Sequence, residues 1–326
     1  MAEPRILLVK TSSLGDVVHL LPAVSDVYRR YPDMQIDWVV EEAFVEVPRW
    51  HPAVQQVIPV AMRRWRNHLG QRQTWREMAT LRNALQQETY DAVLDAQGLL
   101  KSGVLALLAR GKRHGYDRYS IREPLTSWCY QQTHSVSRTY HAITRNRLLL
   151  ALALGYSIEN APLDYGIAQQ RFALPALTLP SRYVVALHGT SRVNKEWPEA
   201  NWQYLTAALA VQGIATVLPW GNARERERAT RLAQANPSVQ VLPRSRLSEL
   251  AAIIQQALGV IGMDTGLMHI ATALNKPGLA LYPATAPELT GIVGNSASPC
   301  RLETISGAAT HDAASVTQRL LDLLAT

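Results

Sequence analysis

Residues 7–23 read LLVKTSSLGDVVHLLPA, an apolar run that breaks into a short polar turn and then resumes with a different period. The part that ends near Val9 has the continuous apolar character of a buried strand, and the part after Gly15 has helical spacing. A strand that runs through a tight turn into a helix begins a βαβ unit, so the stretch predicts an α/β fold.

The same alternation recurs along the chain. In the first half we predict strands over 5–9, 35–40, 54–60 and 91–96, and helices over 16–31, 72–88, 99–110 and 138–154. Residues 156–181 lose the periodicity and collect prolines, as linkers do. A second series follows, with strands over 183–189, 214–221, 239–243, 259–264 and 278–283 and helices over 199–212, 223–235, 247–257 and 266–274.

This pattern predicts two Rossmann-like, doubly wound domains. We place the first at 1–165, a linker at 166–181 and the second at 182–310, followed by a C-terminal helix over 311–326. The grouped leucines of that helix favour a core-facing role over a membrane-surface one. Ligands bind at the carboxyl ends of strands in such sheets, so two domains can face each other across a cleft and bring two substrates together.

Composition limits the class of protein. The length of 326 residues favours two domains of ordinary size. No apolar run reaches the roughly 18 residues of a membrane span, and the N-terminus lacks the order of a signal peptide, so we expect a cytoplasmic protein. The spacing of Cys129 and Cys300 fits neither a metal site nor a disulfide framework, and we expect buried structural thiols. Dehydrogenase G-x-G-x-x-G and Walker A patterns are absent.

The net charge is +7, and only five of the 33 basic residues are lysines. Arginine binds phosphate and carboxylate groups with a planar fork, so the bias suits an anionic partner such as nucleic acid, acidic lipid or acidic sugar. Solubility alone is the alternative explanation.

Asp16 stands at the start of the first helix. It has two interpretations: a helix N-cap, worth roughly 1 kcal/mol over alanine, or a general base that takes a proton from an attacking hydroxyl. The neighbouring hydroxyls of Ser12 and Ser13 would suit a sugar ligand.

Two stretches of the second half predict a site for a diphosphate. In GVIGMDTGLMHIATALNKP (259–277), a buried strand leads into a helix start whose free N–H groups and dipole favour an anion. In ALHGTSRVNKEWPEANW (186–202), a lysine beside hydroxyls could neutralise a departing diphosphate. The residues of these stretches that could contact a diphosphate are Thr190, Ser191, Lys195, Asp264, Thr265 and Gly266, with His269 one turn into the helix. A packed His269 and a solvated Lys195 are the structural alternatives.

Glu225 lies near the end of a predicted strand, where a carboxylate could bind the hydroxyl pair of a ribose. The alternative is a solvated helix face with Glu225–Arg228 and Glu227–Arg231 pairs.

Basic residues also follow strands of the first domain. The stretch 60–77 carries Arg63, Arg64 and Arg66 beside Trp65 and Trp75, and Lys101 and Arg122 belong to later loops. A single local cluster lacks the extended stripe that a nucleic-acid duplex needs, so an anionic sugar fits better. A solvated charged loop remains the alternative.

Taken together, VKTSSLGDVVHLLPA, DWVVEEAF, VIPVAMRRWR, DAVLDAQGLLKS, IREPL, KEWPEANW, LPWG and MDTGLMHIATAL resemble the bacterial lipopolysaccharide heptosyltransferases, in the family's order and over nearly the whole length. The first stretch and the arginine stretch are similar to the heptosyltransferase I group rather than to heptosyltransferase II.

The resemblance implies a GT-B glycosyltransferase with an acceptor site in the first domain, an ADP-heptose site in the second and a C-terminal helix that packs back on the first. The implied reaction is inverting and independent of metal or other cofactors. It moves L-glycero-D-manno-heptose to a Kdo sugar of lipid A at the cytoplasmic face of the inner membrane, with the enzyme in peripheral contact.

By position in the matching motifs, Asp16 would be the base, Lys195 the diphosphate partner and Glu225 the ribose ligand. Arg63, Arg64, Arg66, Lys101 and Arg122 would bind the acids and phosphates of the acceptor. The resemblance implies a donor site formed by Thr190, Ser191, Asp264, Thr265, Gly266, Leu267 and His269. The family commonly has G-P-T-D-P after the last core strand, whereas residues 283–287 read PATAP, so we assign no site residue there.

Three alternatives stay open. The chain could act at another core position, it could be a nucleotide-sugar-binding module without catalysis, or it could bind RNA through its arginines. We expect no nucleic-acid partner and a monomeric protein.

Overall fold

The computed structural model describes residues 3–190, 196–284, 286–296 and 300–325. The chain divides into two compact units, Met1–Ile167 and Ala168–Thr326. Residues 156–181, which include the predicted linker, contain neither helix nor strand.

The first unit contains a parallel sheet of order β3-β2-β1-β4-β5-β6. Its strands are β1 Arg5–Val9, β2 Gln35–Glu41, β3 Val54–Val60, β4 Thr89–Asp95, β5 Arg110–Tyr116 and β6 Gln132–His134. Its helices are α1 Leu14–Val18, α2 Leu21–Arg30, α3 Glu46–Arg49, α4 Met62–Arg66, α5 Arg72–Gln87, α6 Leu100–Leu108 and α7 Ala142–Leu154, with short 3-10 helices at Glu42–Phe44 and Pro124–Cys129.

The quoted stretch forms the centre of this sheet. β1 pairs in parallel with β2 on one side and β4 on the other, and Ile6 to Val9 are fully buried. A strand buried on both faces needs the continuous apolar run that the sequence shows. The helix predicted over 16–31 is instead two helices, because Pro22 stands in the first turn of α2 and cannot supply the N–H that a continuous helix needs.

The second unit contains a parallel sheet of order β12-β11-β10-β7-β8-β9. Its strands are β7 Tyr183–Leu187, β8 Ala215–Leu218, β9 Val239–Val241, β10 Gly259–Met263, β11 Gly278–Tyr282 and β12 Leu302–Ser306. Its helices are α8 Glu199–Val211, α9 Ala223–Ala235, α10 Leu247–Gln256, α11 Gly266–Ala273 and α12 Ala313–Leu324, with a 3-10 helix at Gly307–His311. Two Rossmann-like α/β units confirm the predicted fold class.

The C-terminal helix α12 belongs to the second unit. Its fully buried Val316 and Leu320 lie in the same apolar core as residues of β7, β10 and β11. We had expected this helix to pack back on the first domain; its apolar face completes the core of the second unit instead.

The two cysteines are free thiols, and both are half-buried rather than buried as expected. Burial raises the pKa of each. Among the described residues, no helix combines the length and the apolar content required to cross a bilayer.

Candidate active site

The turn after β1 places Asp16 at the carboxyl edge of the first sheet. Ser13, and not Asp16, occupies the N-cap position of α1, and Asp16 is the third helical residue. Its Oδ2 accepts hydrogen bonds from the Ser13 backbone N–H (2.7 Å) and from the Ser13 hydroxyl (3.0 Å). The side chain is half-buried. The N-cap interpretation is therefore wrong in its position, although Asp16 stabilises the helix start from the third position of the capping box. The general-base interpretation stays a prediction, and the half-buried carboxylate retains partial solvent access.

A buried lysine lies beneath this turn. Lys10 is only 7% exposed, and its Nζ donates to the carbonyl oxygen of Ala96 at 2.8 Å. Burial lowers the pKa of Lys10, while the nearby charges of Asp16 and Asp95 oppose that shift. Sequence reasoning missed Lys10, although a lysine directly after a buried strand was a signal for it.

Asp95, at the end of β4, is a second buried charge. Its oxygens accept from the Tyr130 hydroxyl at 2.6 Å, the Ser102 hydroxyl at 2.8 Å and the backbone N–H of Gln97 at 2.8 Å. Burial raises the pKa of Asp95, and these hydrogen bonds partly offset the rise.

The loop after β4 also fixes the opening turn. The Gln97 side-chain oxygen accepts the backbone N–H groups of Thr11 and Ser12, each at 3.1 Å. Lys101 donates to the Ser12 hydroxyl at 3.3 Å. Ser12, Ser13 and Lys101 therefore lie together, as their position at neighbouring strand ends predicted.

Arg63, Arg64 and Arg66 are exposed on α4, directly after β3. Arg64 is already paired: it contacts both carboxylate oxygens of Glu42, at 3.1 and 3.0 Å, and Glu77 at 2.9 Å. These hydrogen bonds raise the pKa of Arg64. An acceptor that binds Arg64 must therefore compete with two carboxylates.

The other arginines predicted to bind the acceptor have different surroundings from those of Arg64. The Arg63 guanidinium lies over the Phe44 ring, 5.5 Å from its centroid. Arg66 and Arg122 are exposed. The two tryptophans of the stretch differ: Trp65 is buried and donates to Glu77 at 2.6 Å, whereas Trp75 is 60% exposed.

In the second unit, Glu225 lies where β7 and β8 end. Its carboxylate accepts from the Gly221 backbone N–H at 2.6 Å and from the Asn222 side-chain amide at 2.8 Å. A Cβ built on Gly189 would come within 2.6 Å of the Glu225 Cδ, so the absence of a side chain at 189 leaves room for the carboxylate.

Arg228 and Arg231 of α9 make ion pairs with acids other than the predicted Glu225 and Glu227. Arg228 contacts Glu196 at 2.8 Å, and Arg231 contacts Glu199 at 2.8 Å. Arg228 and Arg231 thus pair with acids at or just before the start of α8 and not with Glu225.

Three predicted donor residues follow β7 in sequence, of which Ser191 and Lys195 lie outside the described residues. Thr190 is described, and its buried hydroxyl makes no hydrogen bond within the described part of the chain.

Arg228 contacts described residues that precede and follow positions 191–195 in sequence. It is only 5% exposed, and it donates to the carbonyl oxygen of His188 at 3.3 Å and to Glu196 at 2.8 Å. The solvated position predicted for Arg228 on a helix face is wrong, because its side chain is buried against Glu196. Sequence reasoning missed the fully buried His188, whose Nε2 lies 3.1 Å from the Pro219 carbonyl oxygen.

The helix start after β10 has the predicted form. Thr265 is the N-cap of α11 and Gly266 its first residue. Asp264, Thr265, Gly266 and Leu267 are half-buried, whereas His269 is buried. The accessible residues of this strand-to-helix turn can receive an anionic ligand, because the first N–H groups of a helix lack intrahelical acceptors.

The described residues contain no group of three or more His, Cys, Asp or Glu side chains placed to hold a metal ion. In the loop 283–287, Thr285 lies outside the described residues.

Residues 78–320 match the family model for glycosyltransferase family 9, the heptosyltransferases. The chain belongs to this family. This heptosyltransferase is 46% identical to lipopolysaccharide heptosyltransferase 1 of Escherichia coli strain K12, over 91% of this chain and 93% of the relative. It is also 46% identical to lipopolysaccharide heptosyltransferase 1 of Pseudomonas aeruginosa, over 90% of this chain and 82% of the relative.

A solved structure of E. coli heptosyltransferase WaaC with ADP matches the heptosyltransferase with a TM-score of 0.89 and 42% identity, covering 98% of this chain and 99% of that one. E. coli ADP-heptose lps heptosyltransferase II matches at a TM-score of 0.79 but 19% identity, which supports the fold alone. The fold is thus of the GT-B type, and the protein is a glycosyltransferase of lipopolysaccharide biosynthesis.

Proposed function

We propose that this heptosyltransferase moves L-glycero-D-manno-heptose from ADP-heptose to a Kdo residue of Kdo-modified lipid A, with inversion at the heptose anomeric carbon. Relatives named lipopolysaccharide heptosyltransferase 1 in E. coli and Salmonella typhimurium are 44–46% identical to the chain. A related E. coli WaaC structure, 41% identical, holds ADP-2-deoxy-2-fluoro heptose.

The observation that carries the proposal is the position of Asp16. A half-buried carboxylate stands after the carboxyl end of β1, oriented through one oxygen by Ser13. The same turn carries Ser12, whose hydroxyl accepts from Lys101. A general base must be fixed in direction and still reach the acceptor hydroxyl, and this arrangement meets both needs.

In the proposed reaction, Asp16 takes the proton of the acceptor hydroxyl as its oxygen forms a bond to the heptose anomeric carbon. The bond from that carbon to the diphosphate breaks, and ADP leaves with the bonding electron pair. Attack from the face opposite the leaving group inverts the configuration.

The leaving group needs stabilisation where its charge develops. We assign this role to the N–H groups at the start of α11, around Thr265 and Gly266, and to Lys195. Thr190, Ser191, Asp264, Leu267 and His269 complete the donor site. Glu225 accepts hydrogen bonds from the ribose hydroxyls.

The acceptor carries carboxylates and phosphates, and we assign their binding to Ser12, Ser13, Arg63, Arg66, Lys101 and Arg122. Arg64 takes part only if the acceptor displaces Glu42 or Glu77. The acceptor is lipid-borne, so we also place the enzyme at the cytoplasmic face of the inner membrane in peripheral contact, as a monomer.

The test is incubation with ADP-heptose and Kdo-bearing lipid A, followed by mass analysis for one added heptose. Already heptosylated core is the comparison acceptor, since preference for it would assign the enzyme to another core position. Relatives named heptosyltransferase 2 are only 23–26% identical, which favours the Kdo acceptor.

A separate variant tests the assignment of Asp16 as the general base. Asp16→Asn should lower kcat by about 10²–10⁴-fold, the usual contribution of a general base, with nearly unchanged affinity for ADP-heptose. Asp33→Asn, at an exposed position of the same unit, is the matched control. Transfer by Asp16→Asn at the wild-type rate would exclude Asp16 as the base.

A further inference from the structure

We propose that the outer face of α6 and of the 3-10 helix Pro124–Cys129 docks on an anionic lipid bilayer. We call this surface the α6 face. The inference rests on the proposed lipid-borne acceptor, and it adds which part of the molecule meets the lipid.

The α6 face is unusually apolar for an exposed surface. Leu100, Val104 and Leu107 follow one another at helical spacing and are 47–52% exposed. Leu125 is 58% and Trp128 84% exposed. Large apolar side chains grouped on one surface mark a contact site for a protein or a membrane.

The two elements form one surface because they pack on each other. A Cβ at Gly103 would come within 2.7 Å of the Thr126 methyl group and 2.9 Å of the Cys129 sulfur. This close packing buries the inner side of both elements. The side chains that point away, above all Val104 and Trp128, are left in solvent.

The segment of chain that forms the α6 face carries more cations than acids. Residues 99–131 contain the acids Asp117 and Glu123 and the cations Lys101, Arg110, Lys112, Arg113, Arg118 and Arg122. Both acids already accept local backbone N–H groups: Glu123 from Leu100 at 2.6 Å, and Asp117 from Ser120 at 2.8 Å. The excess of cations suits an anionic lipid surface and opposes the approach of an identical positive face of a second copy.

The α6 face also begins beside the acceptor residues. Lys101 donates to the Ser12 hydroxyl, and its neighbour Leu100 is the first exposed apolar residue of α6. An acceptor sugar attached to a membrane lipid would therefore enter the site from the bilayer on which this face lies. Apolar side chains inserted at headgroup depth, with cations around them, are the usual means of such interfacial binding.

The test is sedimentation with vesicles of phosphatidylethanolamine and phosphatidylglycerol, with pure phosphatidylcholine vesicles as the neutral comparison. The wild type should bind the anionic vesicles, and Trp128→Asp should weaken binding about tenfold or more through lost insertion and added repulsion. Val211→Asp, at a position 83% exposed in the second unit, is the matched control and should bind as the wild type does.

Transfer assays separate this inference from the proposed function. Trp128→Asp should keep wild-type transfer to a water-soluble, deacylated Kdo acceptor and lose transfer to the same acceptor embedded in vesicles. Vesicle binding can be measured even if no Kdo acceptor is a substrate. A failure of the proposed function can therefore be distinguished from a failure of the proposed membrane contact.

Three results would overturn the inference. The first is that the wild type does not bind anionic vesicles, and the second is that Trp128→Asp binds them as tightly as the wild type does. Analytical ultracentrifugation could also show that Trp128→Asp dissociates a dimer, which would assign the face to self-association.

Discussion

Glu225 is fixed at the strand ends by its neighbours rather than by its own helix face. Gly221 and Asn222 donate to its carboxylate, and Gly189 leaves the space that it occupies. Its position thus depends on a glycine at 189, far away in sequence.

The variant Gly189→Ala tests this dependence. The new Cβ would displace the Glu225 carboxylate, so we expect the KM for ADP-heptose to rise about tenfold, the equivalent of one hydrogen bond, with little change in melting temperature. Gly221→Ala is the control, because its Cβ would meet Glu225 at an ordinary 3.4 Å. An unchanged KM in steady-state kinetics would contradict the assignment.

His188 makes the free energy of unfolding depend on pH. Burial lowers its pKa from 6.5 to about 4, and Arg228 adds to the effect. The folded state therefore binds fewer protons than the unfolded state between these values. We expect the free energy of unfolding to fall as the pH drops from 6.5 towards 4, by up to about 1.4 kcal/mol per pH unit for this histidine.

Urea denaturation across that window measures the slope. His188→Gln should make it shallower, and His68→Gln, at an exposed position, should leave it unchanged. Burial also lowers the pKa of His51 and of His114 to about 4, so part of the slope must persist in His188→Gln. A slope identical to that of the wild type would mean that His188 does not contribute.

Single residues were predictable where their role is local. The positions of Asp16 and Gly266 at helix starts were predicted because a strand, a turn and a helix start follow one another in sequence; their roles stay predictions. Lys10 was missed because its acceptor, the Ala96 carbonyl oxygen, lies 86 residues away in sequence. Asp95 has local partners in Gln97 and Ser102, but the Tyr130 hydroxyl that also binds it comes from 35 residues away. Pairings over such separations leave no periodic signal in one sequence.

At the scale of elements, the strands with apolar runs were predicted closely. β1 and β3 have the predicted bounds of 5–9 and 54–60. β5 was missed, because Arg110, Lys112 and Arg113 interrupt its apolar character, and β12 was missed because Ile305 is its single buried residue. Both strands form by pairing with a neighbouring strand. Such pairing depends on tertiary contacts that cannot be read from one sequence.

The C-terminal helix stabilises the second unit through its core contacts. Leu320→Ala should lower the free energy of unfolding by about 2–5 kcal/mol, the usual cost of such a truncation in a core. Gln318→Ala, on the exposed side of the same helix, should cost little. Chemical denaturation compares the two, and equal stabilities would show that α12 is not part of the core.

At the scale of the whole molecule, each unit has its own sheet and its own apolar core. The repeated architecture was predictable, since two series of βα units are visible in the hydrophobic pattern. The assignment of α12 was not, because an amphipathic pattern shows that a helix has an apolar face and not which core that face joins.

Separate cores predict a local response to the nucleotide. ADP at a hundredfold excess over its Kd should stabilise the second unit by about 2.7 kcal/mol. Hydrogen exchange should slow around Thr190, Glu225 and Gly266, with the first unit as the internal control. Protection confined to the first unit would move the donor site there.

Arg228 ties His188 to Glu196 and so closes the base of the segment between them. Closing a longer loop costs little, about 0.6 kcal/mol for each doubling of its length. A peptide tag inserted after Thr190 would thus leave the contacts of Arg228 with His188 and Glu196 in place. That position offers a site for a fluorescent reporter of nucleotide occupancy in a folded, inactive enzyme.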